Sequence, residues 1–459
     1  MISGLQRFAI AVCLLALALA ASAQTSDPAP GVETLATREE KPMPAGQETP
    51  LEALGLPRAT VGGVRITGFI VGSFNYNSRI QLVPEFAGGG AALSDPGATN
   101  FRFGKFGLAL SRVFSPWLSA SAAMEVESHR DRHTHGFDPA FGCPGTGNCV
   151  ERFGAEEPET HVNLDKFNVT GIIPIGSGLA LSIGRFDTPF GIERHDEPLI
   201  LTATTSEVFT FGRPNRMTGL QASYTFSPWL DVSGWVVNRW EAEVTDDDFN
   251  DNNHAKSLGG RIGITPISRD GLLTFGIGGF WGPEQDDNDD DHRGIVDIDA
   301  TWTPIPRLLV AAEGVWGREE NVSFRRRGTP ISDPAADGMT ARWWGMSLLA
   351  HYDFADFFGA SARYGYFRDR DGARTGVAQS LESFTLAPVF HISRLIRDLG
   401  KTGSTFPRTR HPIDWVDIKL EYRWDHSNRS EFSDAPPATD ILSASGNSQR
   451  FQLQVVVNF

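Results

Sequence analysis

From residue 61 to the C-terminus, apolar and polar side chains alternate with a period of two, in blocks about ten residues long. In the block 415–425, Val416, Ile418, Leu420, Tyr422 and Trp424 share one face, and Asp417, Lys419, Glu421, Arg423 and Asp425 share the other. Val296, Ile298, Ala300 and Trp302 stand against Asp297, Asp299 and Thr301 in the same way, as do Leu220, Ala222, Tyr224 and Phe226 against Gln221, Ser223 and Thr225. Successive side chains of a strand point to opposite faces, so each block predicts a strand with one oily and one wet face. The last block, 451–459, alternates too: Phe451, Leu453, Val455 and Val457 on one side, Gln452, Gln454 and Asn458 mostly between them, ending on Phe459.

The start of the chain says where these strands go. Arg7, an apolar run over 8–20 and Ala21-Ser22-Ala23 before Gln24 form an export signal with its cleavage site, so residues 1–23 are expected to be removed. Past the signal there is no run of roughly 18 apolar residues, which excludes a spanning helix. Lipid offers no partners to backbone N–H and C=O groups, so a chain in a membrane without such helices must cross it as a closed ring of strands. The chain has 48 Gly, 31 Phe and 11 Trp, yet its mean hydropathy is −0.22, as expected if only alternate residues touch lipid. Its 41 Lys+Arg against 56 Asp+Glu give −15, and losing Arg7 leaves 40 against 56, or −16. That balance excludes nucleic acid, whose phosphates need a basic face.

Residues 24–60 are rich in Pro, Ala, Glu and Thr and lack periodicity, which predicts a disordered periplasmic leader ahead of a barrel at 61–459. Within the barrel region, Ser111-Arg112-Val113-Phe114-Ser115-Pro116-Trp117-Leu118 is echoed by Ser223-Tyr224-Thr225-Phe226-Ser227-Pro228-Trp229-Leu230. Similar punctuation occurs at Pro174, Pro266, Pro304 with Pro306, and Asp356, each expected to be a tight connection. Between these turns lie long polar stretches at 128–160, 188–215, 245–256, 283–293, 318–341, 369–378 and 426–447. Tight turns alternating with long loops, over about 16 strands (a range of roughly 14–18), predict an all-β, antiparallel up-and-down transmembrane barrel with turns in the periplasm and loops outside. The gap between Val389 and Pro412 is long for a turn and predicts a short helix over 393–399. A terminal strand ending on an aromatic resembles the closing strand of a bacterial outer-membrane barrel, so Phe459 is expected to serve the barrel-assembly machinery and to pair near the strand starting at Val64.

The inward charges Asp297, Asp299, Glu313, Arg363, Asp417, Lys419, Glu421 and Arg423 are candidate pore-lining residues, or a salt-bridged filling. Their mixed signs assign no ion selectivity. The stretch 128–160 carries His129, His133, His135, Cys143 and Cys149. In an exported chain a Cys143–Cys149 disulfide is the expected arrangement, with zinc the competing one. The acidic tracts 246–248 and 286–291 could offer calcium oxygen ligands, but they lack the spacing of a calcium loop and read as solvated. No nucleophile-elbow pattern or repeated Ser–His pairing stands out, so no catalysis and no cofactor are expected.

Gly184-Arg185-Phe186-Asp187-Thr188-Pro189-Phe190-Gly191-Ile192-Glu193, followed by Ser206-Glu207-Val208-Phe209-Thr210-Phe211-Gly212-Arg213-Pro214, Thr218-Gly219, Val236-Val237-Asn238-Arg239-Trp240, Asp251-Asn252-Asn253 and Lys256-Ser257, resembles the Putative beta-barrel porin-2 family over residues 168–266. The opening Gly-x-Phe-x-x-Pro-Phe-Gly also looks like phosphate-selective porins. The resemblance implies a channel-forming porin. In that setting residues 188–215, with Glu193 and Arg194 at the start of a charged run, are expected to fold into the pore as a constriction loop; the competing reading is an extracellular flap. A phosphate pore would need a dense inward ladder of Arg and Lys, and none is evident.

The expectation is thus a porin in the outer-membrane lipid of a Gram-negative bacterium, passing small hydrophilic solutes by diffusion, with homotrimerisation left open. The rival is a non-conducting barrel that binds surfaces through its acidic loops. Small inward residues such as Ser119, Ser121, Ala123, Gly359 and Ser361 favour an open lumen.

Overall fold

The alternating blocks fold as antiparallel strands, each hydrogen-bonded to its neighbour in sequence. The computed structural model describes residues 59–61, 64–81, 99–131, 157–240, 251–266, 273–285, 287–322, 339–375, 378–399, 415–429, 432–433 and 445–459. Its strands are β1 (Val64–Asn77), β2 (Thr99–Ser115), β3 (Leu118–Asp131), β4 (Glu157–Ile173), β5 (Leu179–Asp187), β6 (Arg216–Ser227), β7 (Leu230–Val237) and β8 (Ser257–Ile264). They continue with β9 (Leu273–Gln285), β10 (Asn288–Ile305), β11 (Leu308–Glu319), β12 (Ala341–Ala355), β13 (Phe358–Asp369), β14 (Gln379–His391), β15 (Val416–Ser427) and β16 (Asn447–Asn458). β16 pairs with β15 on one side and with β1 on the other, so 16 strands close into a ring with no free edge. A short strand, Ala59–Val61, folds back on the start of β1, and Ile80–Gln81 pairs with Phe432–Ser433 outside the ring. The signal and most of the leader, with Cys143, Cys149, His133 and His135, lie outside the described residues.

Alternation sets the two faces. Leu220, Phe226, Val296, Ile298, Leu420, Phe451 and Leu453 are exposed on the outside, whereas Asp297, Asp299, Glu313, Arg363, Asp417, Lys419 and Glu421 are buried within the ring. The closing strand ends as its pattern predicts. The Phe459 N–H donates to Gly68 O at 2.9 Å, Gly68 N–H donates to Phe459 O at 2.7 Å, and the terminal ring stacks on Phe106.

Four of the tight turns, three of them marked by Pro, have a common geometry. In β2, β6, β10 and β12 the register slips just before the tight turn, between Val113/Ser115, Thr225/Ser227, Trp302/Ile305 and Asp353/Ala355. Each is a bulge feeding a two-residue turn. Pro304 therefore lies inside β10, at the bulge, and not in the connection, which is Pro306-Arg307. A bulge has no ladder bond for Pro to break. A second correction concerns 283–293, expected to be a long loop. β9 runs to Gln285, which pairs with Asn288 at the start of β10, so the two strands meet in a tight hairpin, with Asp287 at φ 53°. Acidic residues there mark strands wetted on both faces, and Asp tolerates the left-handed tip. Directly after β14, helix α1 (Ile392–Leu399) forms where the long gap before β15 predicts one.

Candidate functional site

β5 ends at Asp187 and β6 begins at Arg216, and Thr188 N–H donates to Asn215 O at 3.0 Å, pinching the base of the 188–215 segment. This inner loop runs into the ring. Its first turn depends on Gly191, whose φ of 68° suits glycine and whose missing side chain leaves room for the Glu313 carboxylate; a Cβ there would collide with it. Ile192 N–H donates to Glu313 Oε2 at 2.9 Å, which fixes the turn to β11.

Polar anchors hold the loop. Arg213, at the loop's far end, donates Nε to Glu313 Oε1 at 2.7 Å. Arg363 on β13 reaches Glu193 at 2.8 Å, Thr202 Oγ1 at 2.9 Å, Thr205 O at 3.0 Å and the carbonyl of Thr204. On β15, Lys419 donates to the carbonyls of Glu197, Ile200 and Thr202, Glu421 accepts from Ala203 and Thr204, and Arg423 pairs with Glu207 at 2.6 Å. On the opposite wall, Lys166 of β4 meets Asp187 at 2.9 Å and Asp196 at 3.0 Å, Lys105 of β2 meets Glu125 and Glu197 at 3.2 Å, and Arg216 meets Asp165. The loop is thus fastened to both sides of the ring.

An apolar contact completes the seating. Val208 and Phe211, on a wide helical turn (Val208–Gly212), pack with Phe190 against the inward side chains Trp235, Phe280, Ile295, Val315, Trp343 and Phe367. Trp343 donates its indole N–H to Gly212 O at 3.2 Å. Leu199, midway along the loop, packs on Phe69, Val71 and Val456 at the β1–β16 seam. Burial raises the Asp196 carboxyl above its ordinary range, against the pull of Lys166. Burial, with the Arg213 charge beside it, lowers Arg194.

The inward charges expected from sequence all face the lumen, most of them engaged with the loop. Glu313, Arg363, Lys419, Glu421 and Arg423 bind it directly. Asp299 pairs with Arg261 at 2.9 Å, Asp417 with His391 at 2.5 Å, and fully buried Asp297 has Glu313 and Arg213 as charged neighbours. Glu193 is buried against Arg363 and Ser206, and Arg194 donates to the carbonyls of Gly191 and Glu193 in its own turn. Sequence reasoning missed Glu125, Asp165, Lys166, Glu207, Arg213 and Arg216. Glu125 was within reach, since it continues the inward series Ser119, Ser121, Ala123; the others pair only through the tertiary fold.

Two groupings carry chemistry-bearing residues. Glu125, His195 and Asp196 bring ligand atoms within 4.8 Å of one another, but Lys105, Lys166 and Arg216 lie on the same carboxylates, which suits an ion-pair network better than a cation. His351 lies 2.8 Å from Ser361 Oγ and 3.1 Å from Asp353, a Ser–His–acid array that the sequence did not reveal. The buried Ser361 hydroxyl donates to Leu201 O of the inner loop at 2.9 Å.

A closed ring of two-faced strands around an inward loop defines an outer-membrane channel of the porin type. The Putative beta-barrel porin-2, OmpL-like, family matches residues 70–459, and the chain belongs to that family. It is an outer-membrane porin. Its fold is similar to that of the outer membrane channel DcaP of Acinetobacter baumannii, at TM-score 0.52 and 9% identity over 88% of this chain and 100% of that one. The Salmonella typhi OmpF complex with daunomycin gives TM-score 0.50 and 11% identity over 88% and 100%. No protein of curated function matches the sequence.

Proposed function

We propose that this porin passes small hydrophilic solutes by diffusion and that the inner loop, 188–215, sets its bore. The observation that carries the reading is the Arg363–Glu193 pair at 2.8 Å, with Lys419, Glu421 and Arg423 holding the same loop from β15. Cation and anion alternate at these anchors, so most lumen charges are neutralised pairwise and ion selectivity is weak. The reading includes recognition of Phe459 by the barrel-assembly machinery, a homotrimeric assembly tested by cross-linking in native membranes, and no catalysis. Ser361, the only hydroxyl beside His351 in the array above, is spent on a loop carbonyl. The test is single-channel recording in planar bilayers. Stepwise conductance is expected, and replacing Glu193 and Arg194 by Ala should raise it. A protein that inserts and never conducts refutes the channel, and unchanged conductance and selectivity in the double variant refute the loop's role.

A further inference from the structure

Most of the lumen's charged groups have partners, but one seam differs. Across the junction of β16 and β1, the inward residues face each other in register: Arg450 with Asn77, Gln452 with Asn75, Gln454 with Ser73. Asn75, Gln452 and Gln454 are buried, at 3%, 6% and 4% exposure, and their side-chain oxygens Oδ1, Oε1 and Oε1 have no hydrogen-bond donor among the described residues. Asn75 uses its amide N–H₂ on Ser73 Oγ at 3.0 Å, and its oxygen has no donor among the described residues. One rung above, Arg450 donates Nε to Asn77 Oδ1 at 3.1 Å and forms no ion pair among the described residues, unlike its neighbours Arg423 and Arg363, which are matched by Glu207 and Glu193. Below, Val71, Val456 and Phe69 make an apolar floor under Leu199 of the inner loop.

A buried acceptor without a donor is costly, and native folds keep such groups where something outside the chain supplies the donor. The arrangement is an unmatched cation above a column of unmatched acceptors. Lys419 and Glu421, the β15 neighbours of Gln454 and Gln452, are occupied by the inner loop, so the loop walls off the column's far side. We propose that the β16–β1 seam is a solute-binding site for a small hydroxylated carboxylate: the carboxylate is held by the Arg450 guanidinium, and the hydroxyls donate to Asn75, Gln452 and Gln454. This deepens the channel reading by naming the solute class that the lumen favours. A simple carboxylate would leave the amide oxygens unmet, and a neutral sugar would leave Arg450 unmet.

The full-length protein in planar bilayers distinguishes these, using gluconate (both groups), glucose (hydroxyls alone) and propionate (carboxylate alone) as blockers of open-channel current. Gluconate is expected to block at about tenfold lower concentration than either other solute, equivalent to about 1.4 kcal/mol. Arg450→Gln should erase its advantage over glucose and Arg450→Lys should keep part of it; Gln452→Leu with Gln454→Leu should erase its advantage over propionate. Equal potency of the three solutes in a conducting wild type, or gluconate block of Arg450→Gln at wild-type potency, overturns the site. If the wild type does not conduct, the channel reading is what fails, and calorimetric titration of gluconate into the detergent-solubilised protein and the same variants then decides the site by itself.

Discussion

Replacing Arg363 by Met removes the guanidinium while keeping most of the side chain's volume. In the folded chain that guanidinium is fully buried, at 0% side-chain exposure, against Glu193 at 4%. It also supplies donors to Thr202, Thr204, Thr205 and Thr385. Deleting one member of such a pair leaves a buried, unmatched charge, which costs about 3–5 kcal/mol, with water entering the lumen moving the figure toward the lower end. The 16-strand ladder does not pass through Arg363's side chain, so the loss falls on the seating of the inner loop. At about 1.4 kcal/mol per decade, the ratio of seated to released loop falls by roughly two to three and a half decades. Arg194 lies in that loop ahead of His195, whereas the Arg213–Pro214 bond resists trypsin, so release should expose a trypsin site at Arg194 and raise conductance together, while the barrel keeps its resistance to unfolding in SDS. Adding Glu193→Gln should recover part of the loss, because removing both charges costs less than stranding one. Wild-type conductance, selectivity and trypsin resistance in Arg363→Met would refute the account of how the loop is held.

Gly191→Ala forces a left-handed φ on alanine and drives a methyl into the Glu313 carboxylate, costing at least about 1–2 kcal/mol for the backbone alone; increased trypsin cleavage at Arg194 is the readout, and an unchanged rate would count against the turn's role. Leu420→Arg, on the lipid face, should destabilise the folded barrel by about 2–4 kcal/mol if it lies at the bilayer midplane, measured by urea unfolding in lipid vesicles, whereas Glu421→Gln on the same strand should act on conductance. Deleting Phe459 removes the terminal hydrogen bonds to Gly68 and the stack on Phe106; surface levels should fall while any inserted channels conduct normally, and normal surface levels would refute the assembly role.

The barrel was legible because its cause is local. Alternation is a property of neighbouring residues, and it placed Asp417, Lys419, Glu421 and Arg423 inward and Leu420 outward without knowledge of any other strand. The loop limits 188–215 were legible too, since periodicity stops at Asp187 and resumes at Arg216. Where local cues conflict, the reading slipped. The charges of 283–293 suggested a loop, although strands rising clear of lipid can be polar on both faces, and Pro304 suggested a turn, although a bulge accommodates it.

The candidate site was only half legible. Sequence named Glu193, Arg363 and Glu421 as charges near the pore, but it could not show that Glu193 belongs to Arg363, 170 positions away, or that Arg213 belongs to Glu313, 100 positions away. What the sequence alone determined was the wall: which residues are strands, which face lipid, and where the last strand ends. Only the tertiary structure decided what fills the wall, because closing the ring brings residues far apart in the chain within hydrogen-bond reach. The same closure set Gln452 opposite Asn75 and Gln454 opposite Ser73 across the β16–β1 seam, with the oxygens of Asn75, Gln452 and Gln454 to spare.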